Sequence, residues 1–320
     1  MKRLFFALMT SMIIKVASGQ QIEALDYCKC QDKIDQVAPV LNGQFERNCN
    51  GVLIEKGEFI NGLKNGEWLT NSRKGKLIRR LNYEKGLLHG KVELFYVSGK
   101  PKVVGQFEQG SKTGKWIYYT NKGTVLSQGG YDANKPIDTW IINDKKGGKP
   151  VVQYDFNAKK YLLNTSTPFH KDGEIIQSEN TEEWYILKSP DLKYSSDSEP
   201  LGGFIFANYM FIELVEVPVN FWDTYLYQKY KVSYKITPDN SVTFNSELFT
   251  EKLPVNHFEL TFLIMTDPPS KLHQIELSNL QLKLIDFKIK EALSLMPPWI
   301  YTNQSDVDLY LHYVINKNFQ

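Results

Sequence analysis

The chain has few of the residues on which most enzyme chemistry depends, with three cysteines and five histidines in 320 residues. His89, His170, His257, His273 and His312 are scattered, and no two stand at ligand spacing on one helix, so a zinc-protease motif is missing. No serine occupies a nucleophile elbow. The glycines fall at turn spacing instead of opening a helix after a strand, which removes the usual phosphate cradle. Carboxylate pairs such as Asp306 and Asp308 read as outward positions on a strand. Long apolar runs are also scarce. The stretch from Phe204 to Val219 is interrupted by Asn208, Glu213 and Glu216, well short of the roughly 20 apolar residues a membrane helix needs. No catalytic residue, metal ligand set or cofactor site is therefore expected, and no transmembrane segment in the mature chain.

The first residues follow the pattern of an export signal. Lys2 and Arg3 precede an apolar run from Leu4 to Ile14, and Ala17-Ser18-Gly19 supply small residues for cleavage, which predicts a leader over residues 1–19. The leader places the protein in the periplasm or at the outer membrane, or outside the cell, and disfavours nucleic acid as a partner. Cys28, Cys30 and Cys49 follow in the N-terminal segment 20–50. In an oxidising compartment Cys28 or Cys30 bridges to Cys49 and one thiol is left over. Zinc is disfavoured, because the spacing lacks a second Cys pair and no His is near.

Aromatic residues are abundant at 13%, with 18 Tyr and 18 Phe, which favours strands. Many of them recur at a fixed interval. Phe59, Tyr83, Phe107 and Tyr131 stand 24 residues apart, as do Gly75, Gly99, Gly123 and Gly147. Around them, Gly57-Glu58-Phe59 with Gly62 and Gly66-Glu67-Trp68 returns as Leu81-Asn82-Tyr83 with Gly86 and Gly90-Lys91-Val92. It returns again as Gly105-Gln106-Phe107 with Gly110 and Gly114-Lys115-Trp116, then as Gly129-Gly130-Tyr131 with Asn134 and Asp138-Thr139-Trp140. Each unit predicts a β-hairpin with glycines where the chain turns through positive φ. A lone hairpin cannot bury its aromatic face, so the units must stack.

This pattern resembles the MORN repeat, particularly its bacterial variants, with Gly105-Gln106-Phe107, Gly110, Gly114-Lys115-Trp116 and Tyr118-Tyr119 as the fullest match. The resemblance covers residues 51–156 and implies a stacked hairpin array without naming a function. Val92 stands where the second unit should have Trp, and Asn134 and Asp138 replace glycines in the fourth, as in a terminal capping repeat.

Charge divides the chain. Residues 57–156 carry 17 Lys+Arg and 9 Asp+Glu, a net of +8, whereas residues 157–320 carry 14 and 21, a net of −7. A basic array suits an anionic lipid or lipopolysaccharide surface, or an acidic partner such as this chain's own C-terminal half. Simple solubility of the outward strand positions explains the same charge.

Residues 157–200 lose the repeat and end in a polar, linker-like stretch from Lys188 to Pro200, with a β-prone run at 183–187. Beyond it, Tyr230, Val232, Tyr234 and Ile236 alternate along a strand, Pro238-Asp239-Asn240 turns into a second strand near Val242, and Phe258, Leu260, Phe262 and Ile264 mark a third. Ile285, Ile289, Ala292, Leu293 and Met296 share a helical face that Pro297-Pro298 ends, and Val307, Leu309, Leu311 and Tyr313 close the chain as a strand.

With Gly202-Gly203 before an apolar helix, Pro218 after it, and Pro297, Pro298 and Trp299 before the last strand, residues 201–320 resemble the C-terminal domain of TonB. Residues 253–282 read as an insertion in that pattern, and the usual Pro-x-Trp is here two prolines followed directly by Trp299. The resemblance implies an α+β docking module. The retained membrane helix and Pro-rich spacer of an energy transducer are missing from the pattern.

The sequence thus predicts a mainly β protein in which a stacked β-hairpin array precedes an α+β C-terminal part. Its expected role is non-catalytic, an envelope interaction or scaffold protein whose array binds a partner or anionic surface and whose C-terminal domain docks to protein. An envelope hydrolase with an unrecognised site and a toxin-neutralising repeat protein are the alternative readings.

Overall fold

The structure is a computed structural model. It describes residues 14–15, 21–22, 30–36, 40–144, 146, 148–165, 175–177, 184–186, 199–215, 226–236, 239–240, 242–248, 258–261, 263–264, 288, 290–300 and 307–315. The leader expected over 1–19 lies outside these but for Ile14–Lys15, and so do Cys28, Gly147, Pro218, Phe262, Ile285, Ile289 and most of the linker and insertion.

The protein is mainly antiparallel β-sheet. Thirteen strands form one meandering sheet: β1 (Cys30–Gln36), β2 (Asn42–Cys49), β3 (Val52–Ile60), β4 (Leu63–Asn71), β5 (Leu77–Glu84), the two-residue β6 (Leu87–Leu88), β7 (Gly90–Phe95), β8 (Pro101–Glu108), β9 (Ser111–Tyr119), β10 (Val125–Asp132), β11 (Lys135–Asn143), β12 (Pro150–Asp155) and β13 (Lys160–Asn164). Each strand pairs with the next in sequence, except that β6 pairs only with β5 and β7 takes its place beside β5. Two strands lie ahead of the first recognisable unit. Gly43 faces Phe59 across the strands as Gly66 faces Tyr83, which puts Phe45 at the position Trp68 holds one unit later.

The rings of Phe45, Phe59, Trp68, Tyr83, Phe107, Trp116, Tyr131, Trp140, Tyr154 and Phe156 are all buried in one core, on what we term the inner face. Neighbours meet edge to face, as in Phe59 on Trp68 at 4.9 Å, Phe107 on Trp116 at 5.3 Å and Tyr131 on Trp140 at 5.1 Å. Trp68, Trp116 and Trp140 each lie flat over a glycine of the preceding strand, Gly57, Gly105 and Gly129, where any Cβ would enter the indole. The second unit solves the same contact the other way. It has Leu81 in the glycine's place and Val92 in the tryptophan's, and both are buried. The missing tryptophan is therefore half of a matched exchange of volume between adjacent strands. In the fourth unit Asn134 and Asp138 take positive φ of 69° and 55°, so the turn shape survives without its glycines.

A disulfide joins Cys30 to Cys49, directly opposite residues of β1 and β2, and ties the first strand to the sheet. Of the two pairings open in the sequence, this is the one formed.

The sheet's inner face is covered by two pieces from the second half of the chain. Helix α1 (Gly203–Leu214) brings Phe206, Ala207, Met210, Phe211 and Leu214 into the array's core, and the segment 290–300, which opens with the short helix α2 (290–295), brings Ala292, Leu293, Leu295, Met296 and Trp299. Glu199–Pro200 pairs with Trp299–Ile300 and joins the two pieces. Gly202 precedes α1 with φ of 90°, and a Cβ there would stand 2.6 Å from Ile142 Cδ1 of the array, so glycine is required by both backbone and contact. Four further strands form a separate sheet, in which β14 (Leu226–Ile236) pairs antiparallel with β15 (Val242–Leu248) and β17 (Val307–Ile315), while β16 (Phe258–Thr261) runs parallel to β17.

Candidate functional site

Aligning the array by its 24-residue interval places its three buried cations. One buried position reads Ile54, Ile78, Lys102, Leu126; the next reads Glu55, Arg79, Val103, Ser127; and the residue opposite the first aromatic reads Lys64, Leu88, Lys112, Pro136. Arg79, Lys102 and Lys112 are 3%, 3% and 7% exposed, values that a lone cation reaches only when it has partners.

Those partners lie at the ends of the two helices. Arg79 Nη2 donates to the Leu214 carbonyl at 2.8 Å, and Lys102 Nζ donates to the Glu213 carbonyl at 3.1 Å. Lys112 Nζ donates to the Met296 carbonyl at 2.7 Å and the Tyr118 hydroxyl to the Leu295 carbonyl at 2.8 Å. Glu213 and Leu214 close α1, and Leu295 and Met296 lie at the end of α2. The last carbonyls of a helix have no partner within it and form the negative end of its dipole, so a cation placed there satisfies both the hydrogen bond and the field. The array supplies four donors to two such ends.

Two carboxylates complete the contact. Glu213 Oε2 stands 3.2 Å from Lys102 Nζ, and Glu291 Oε2 stands 2.7 Å from Arg79 Nη1 and 3.4 Å from Lys288 Nζ. Burial pushes the Glu291 carboxyl up, but Arg79, Lys288 and Lys64 outweigh it and hold the group below its ordinary value. Further along the inner face, Glu55 receives Lys64 at 2.9 Å and lies 3.9 Å from Arg47. Its burial is again outweighed, by Lys64, Arg47 and Lys288, and its carboxyl drops to about 2.

Lys112 has no carboxylate partner in this set. Burial alone lowers its ammonium to about 7, against which stand the Met296 carbonyl and the faces of Trp116 and Tyr131, each 4.8 Å away. Burial likewise raises the Tyr118 and Tyr131 phenols well above their ordinary values. Each of these groups is committed to a packing or hydrogen-bonding partner, so the chemistry the arrangement offers is adhesion between the array and the helices.

The repeat residues picked out in the sequence, Phe59, Trp68, Tyr83, Phe107, Trp116, Tyr131 and Trp140, all lie along this inner face, and Gly62, Gly66, Gly86, Gly90, Gly110 and Gly114 lie in its turns and strand starts with positive φ. Gly202 and Gly203 stand at the start of α1, while Pro297 and Trp299 are buried just after α2. Sequence reasoning missed Arg79, Lys102, Lys112, Glu213 and Glu291. The repeat register carries a signal for Lys102, which stands where the other units have Ile54, Ile78 and Leu126; Arg79 and Lys112 share their slots with Glu55 and Lys64 and carry no such signal. Among the described residues no group of three or more His, Cys, Asp and Glu is placed to hold a metal, and no helix is long and apolar enough to cross a membrane. An open groove of 230 Å³ lies between β2, β3 and β4, lined by residues including Gln44, Lys56, Glu58, Asn65 and Glu67.

No protein-family model matches the chain, and no curated protein matches it. Among solved structures, the crystal structure of accessory secretory protein 1, 2 and 3 in Streptococcus pneumoniae aligns at 15% identity and a TM-score of 0.18, covering 43% of this chain and 22% of that one. The crystal structure of TarM aligns at 15% identity and a TM-score of 0.19, covering 44% of this chain and 22% of the other. This chain thus matches less than a quarter of either, and superpositions so loose carry no inference about fold or activity.

Proposed function

We propose that this chain is a non-catalytic interaction protein of the bacterial envelope, in which a MORN-like hairpin array serves as scaffold for a TonB C-terminal-like unit that docks to a protein partner. The observation that carries the reading is the use made of the inner face. Its aromatic rings and its buried cations are engaged with the chain's own α1 and segment 290–300, so recognition of other molecules falls to the surfaces left over. Among the described residues, β15 is hydrogen-bonded to β14 on one side only and ends the four-stranded sheet. Such an edge suits addition of a partner strand, where main-chain hydrogen bonds supply affinity and alternate side chains supply specificity. The leader-like first residues and the Cys30–Cys49 bridge support an oxidising compartment, hence the periplasm or the outer membrane.

Crosslinking in an envelope fraction with the full chain and with Ser246→Pro, a change inside the β15 edge, tests the reading. The expected result is a partner captured by the native chain and lost from the variant, with the array's thermal unfolding unchanged. Equal capture by both would refute edge docking.

A further inference from the structure

The two long margins of the thirteen-stranded sheet differ in charge. Along one margin, four turns at residues 72–76, 96–100, 120–124 and 144–149 hold eight Lys and Arg against one carboxylate, Asp144, which itself accepts the Gly148 amide at 2.9 Å. Along the opposite margin the turns are balanced, with Glu84, Glu108, Asp132 and Asp155 set against Lys85, Lys135, Lys159 and Lys160. Nearly all of the array's net +8 therefore lies on one margin of the sheet. The backbones that carry most of these charges are regular. Ser72 N to Lys76 O, Tyr96 N to Lys100 O and Thr120 N to Thr124 O close three of the turns in the same way, each at 2.8 or 2.9 Å, and Lys76, Lys100, Lys122 and Lys146 are exposed at the tips.

We propose that this basic margin binds an extended acidic polysaccharide that runs across the strands from turn to turn. Turns on one margin recur every second strand, so the charged tips repeat at about 10 Å over a row of about 30 Å. A sheet with ordinary twist rotates by about 20° per strand, and tips six strands apart then point in directions more than 90° apart. A planar membrane cannot touch such a row at once, whereas a flexible polymer can follow it. Among the described residues no large apolar side chain is exposed at these turns to enter a bilayer, since the exposed ones, Ile60, Leu87, Tyr161 and Leu162, lie elsewhere. Seven of the eight cations are lysines, point charges suited to a delocalised line of carboxylates and not to one fixed bidentate group. On the envelope reading proposed above, the chain meets such polymers in place of nucleic acid. The proposal adds a partner to the interaction-protein reading and does not depend on the β15 edge.

The test is equilibrium binding of fluorescently labelled polygalacturonate to the full chain over a salt series. Two variants of equal net charge are compared, Lys76→Gln/Lys100→Gln/Lys122→Gln/Lys146→Gln on the basic margin and Lys85→Gln/Lys115→Gln/Lys159→Gln/Lys160→Gln away from it. All eight positions are exposed, so folding is preserved. The margin variant is expected to lose affinity by about tenfold or more with a shallower dependence on salt, and the second variant to stay within about twofold. The proposal is overturned if the polymer does not bind, if both variants weaken alike, or if vesicles of phosphatidylglycerol bind to the same sites while polygalacturonate does not. Ser246→Pro should keep full polymer binding, which separates failure here from failure of strand docking.

Discussion

The inner face and the basic margin of the array are built from the same strands and carry the same kinds of cation, yet they use them in opposite ways. Arg79, Lys102 and Lys112 are sealed against helix ends, whereas Lys76, Lys100, Lys122 and Lys146 stand in water. The difference teaches that net charge alone does not locate a binding surface. Position within the repeat does: Lys102 occupies a slot that the other units fill with Ile or Leu and meets a buried partner, whereas the cations in the turns do not.

Arg79→Ala should break the buried set most severely. It leaves the Glu291 carboxylate and the Leu214 carbonyl without their guanidinium, and removing one partner of a buried ion pair costs about 3–5 kcal/mol. Chemical denaturation reads the loss, and neutralising Lys76 on the margin should change stability by less than about 0.5 kcal/mol. Equal effects at the two positions would erase the contrast between buried and exposed cations.

The matched exchange in the second unit gives the next largest effect. Val92→Trp forces an indole against Leu81 and should destabilise by about 1–3 kcal/mol, while Val92→Trp with Leu81→Gly should recover most of that loss by restoring the arrangement of the other units. A double-mutant cycle with no coupling would show that the tryptophan and glycine positions are independent.

Two titrations sharpen the comparison further. Lys112 is lowered by burial to about 7 in the folded chain, so between pH 7 and its ordinary value the unfolded chain binds the extra proton and stability rises with pH. The rise should be no more than about 1 kcal/mol per pH unit across pH 7 to 9, and Lys112→Met should flatten it. Glu55 has the same sign in an acid window, but there the depressed value marks a stabilised charge. Its carboxyl is depressed to about 2, so its contribution is complete above the ordinary carboxylate value of 4.5 and is lost as pH falls from there through 2. Glu55→Gln should remove about 1 kcal/mol of that acid sensitivity in a thermal melt series.

Much of the array was legible because its physics is periodic: a ring in a strand and a glycine in a turn repeat at the interval of one hairpin pair. The first two strands were not, since the offset from Phe45 to Trp68 is one residue short of the interval and a Phe replaces the Trp. Val92 was visible as an exception, but its reason needed the strand pairing that sets the Trp rings over glycines and Leu81 beside Val92. The covering of the inner face was invisible for a similar cause. It depends on contacts more than a hundred residues apart in sequence, such as Lys102 with Glu213 and Lys112 with Met296, which no local pattern encodes. The acidic C-terminal half was legible as a counter-charge for the array, and its carboxylates Glu213 and Glu291 do meet array cations.

The central claim is that the array's buried donors hold α1 and segment 290–300 in place. Hydrogen exchange of the full chain, native against Arg79→Ala/Lys102→Ala, measures this directly. Protection should fall in residues 203–214 and 290–300 while the strands from β8 to β11 keep theirs. Unchanged protection in both helical pieces, or simultaneous loss across the whole sheet, would contradict it.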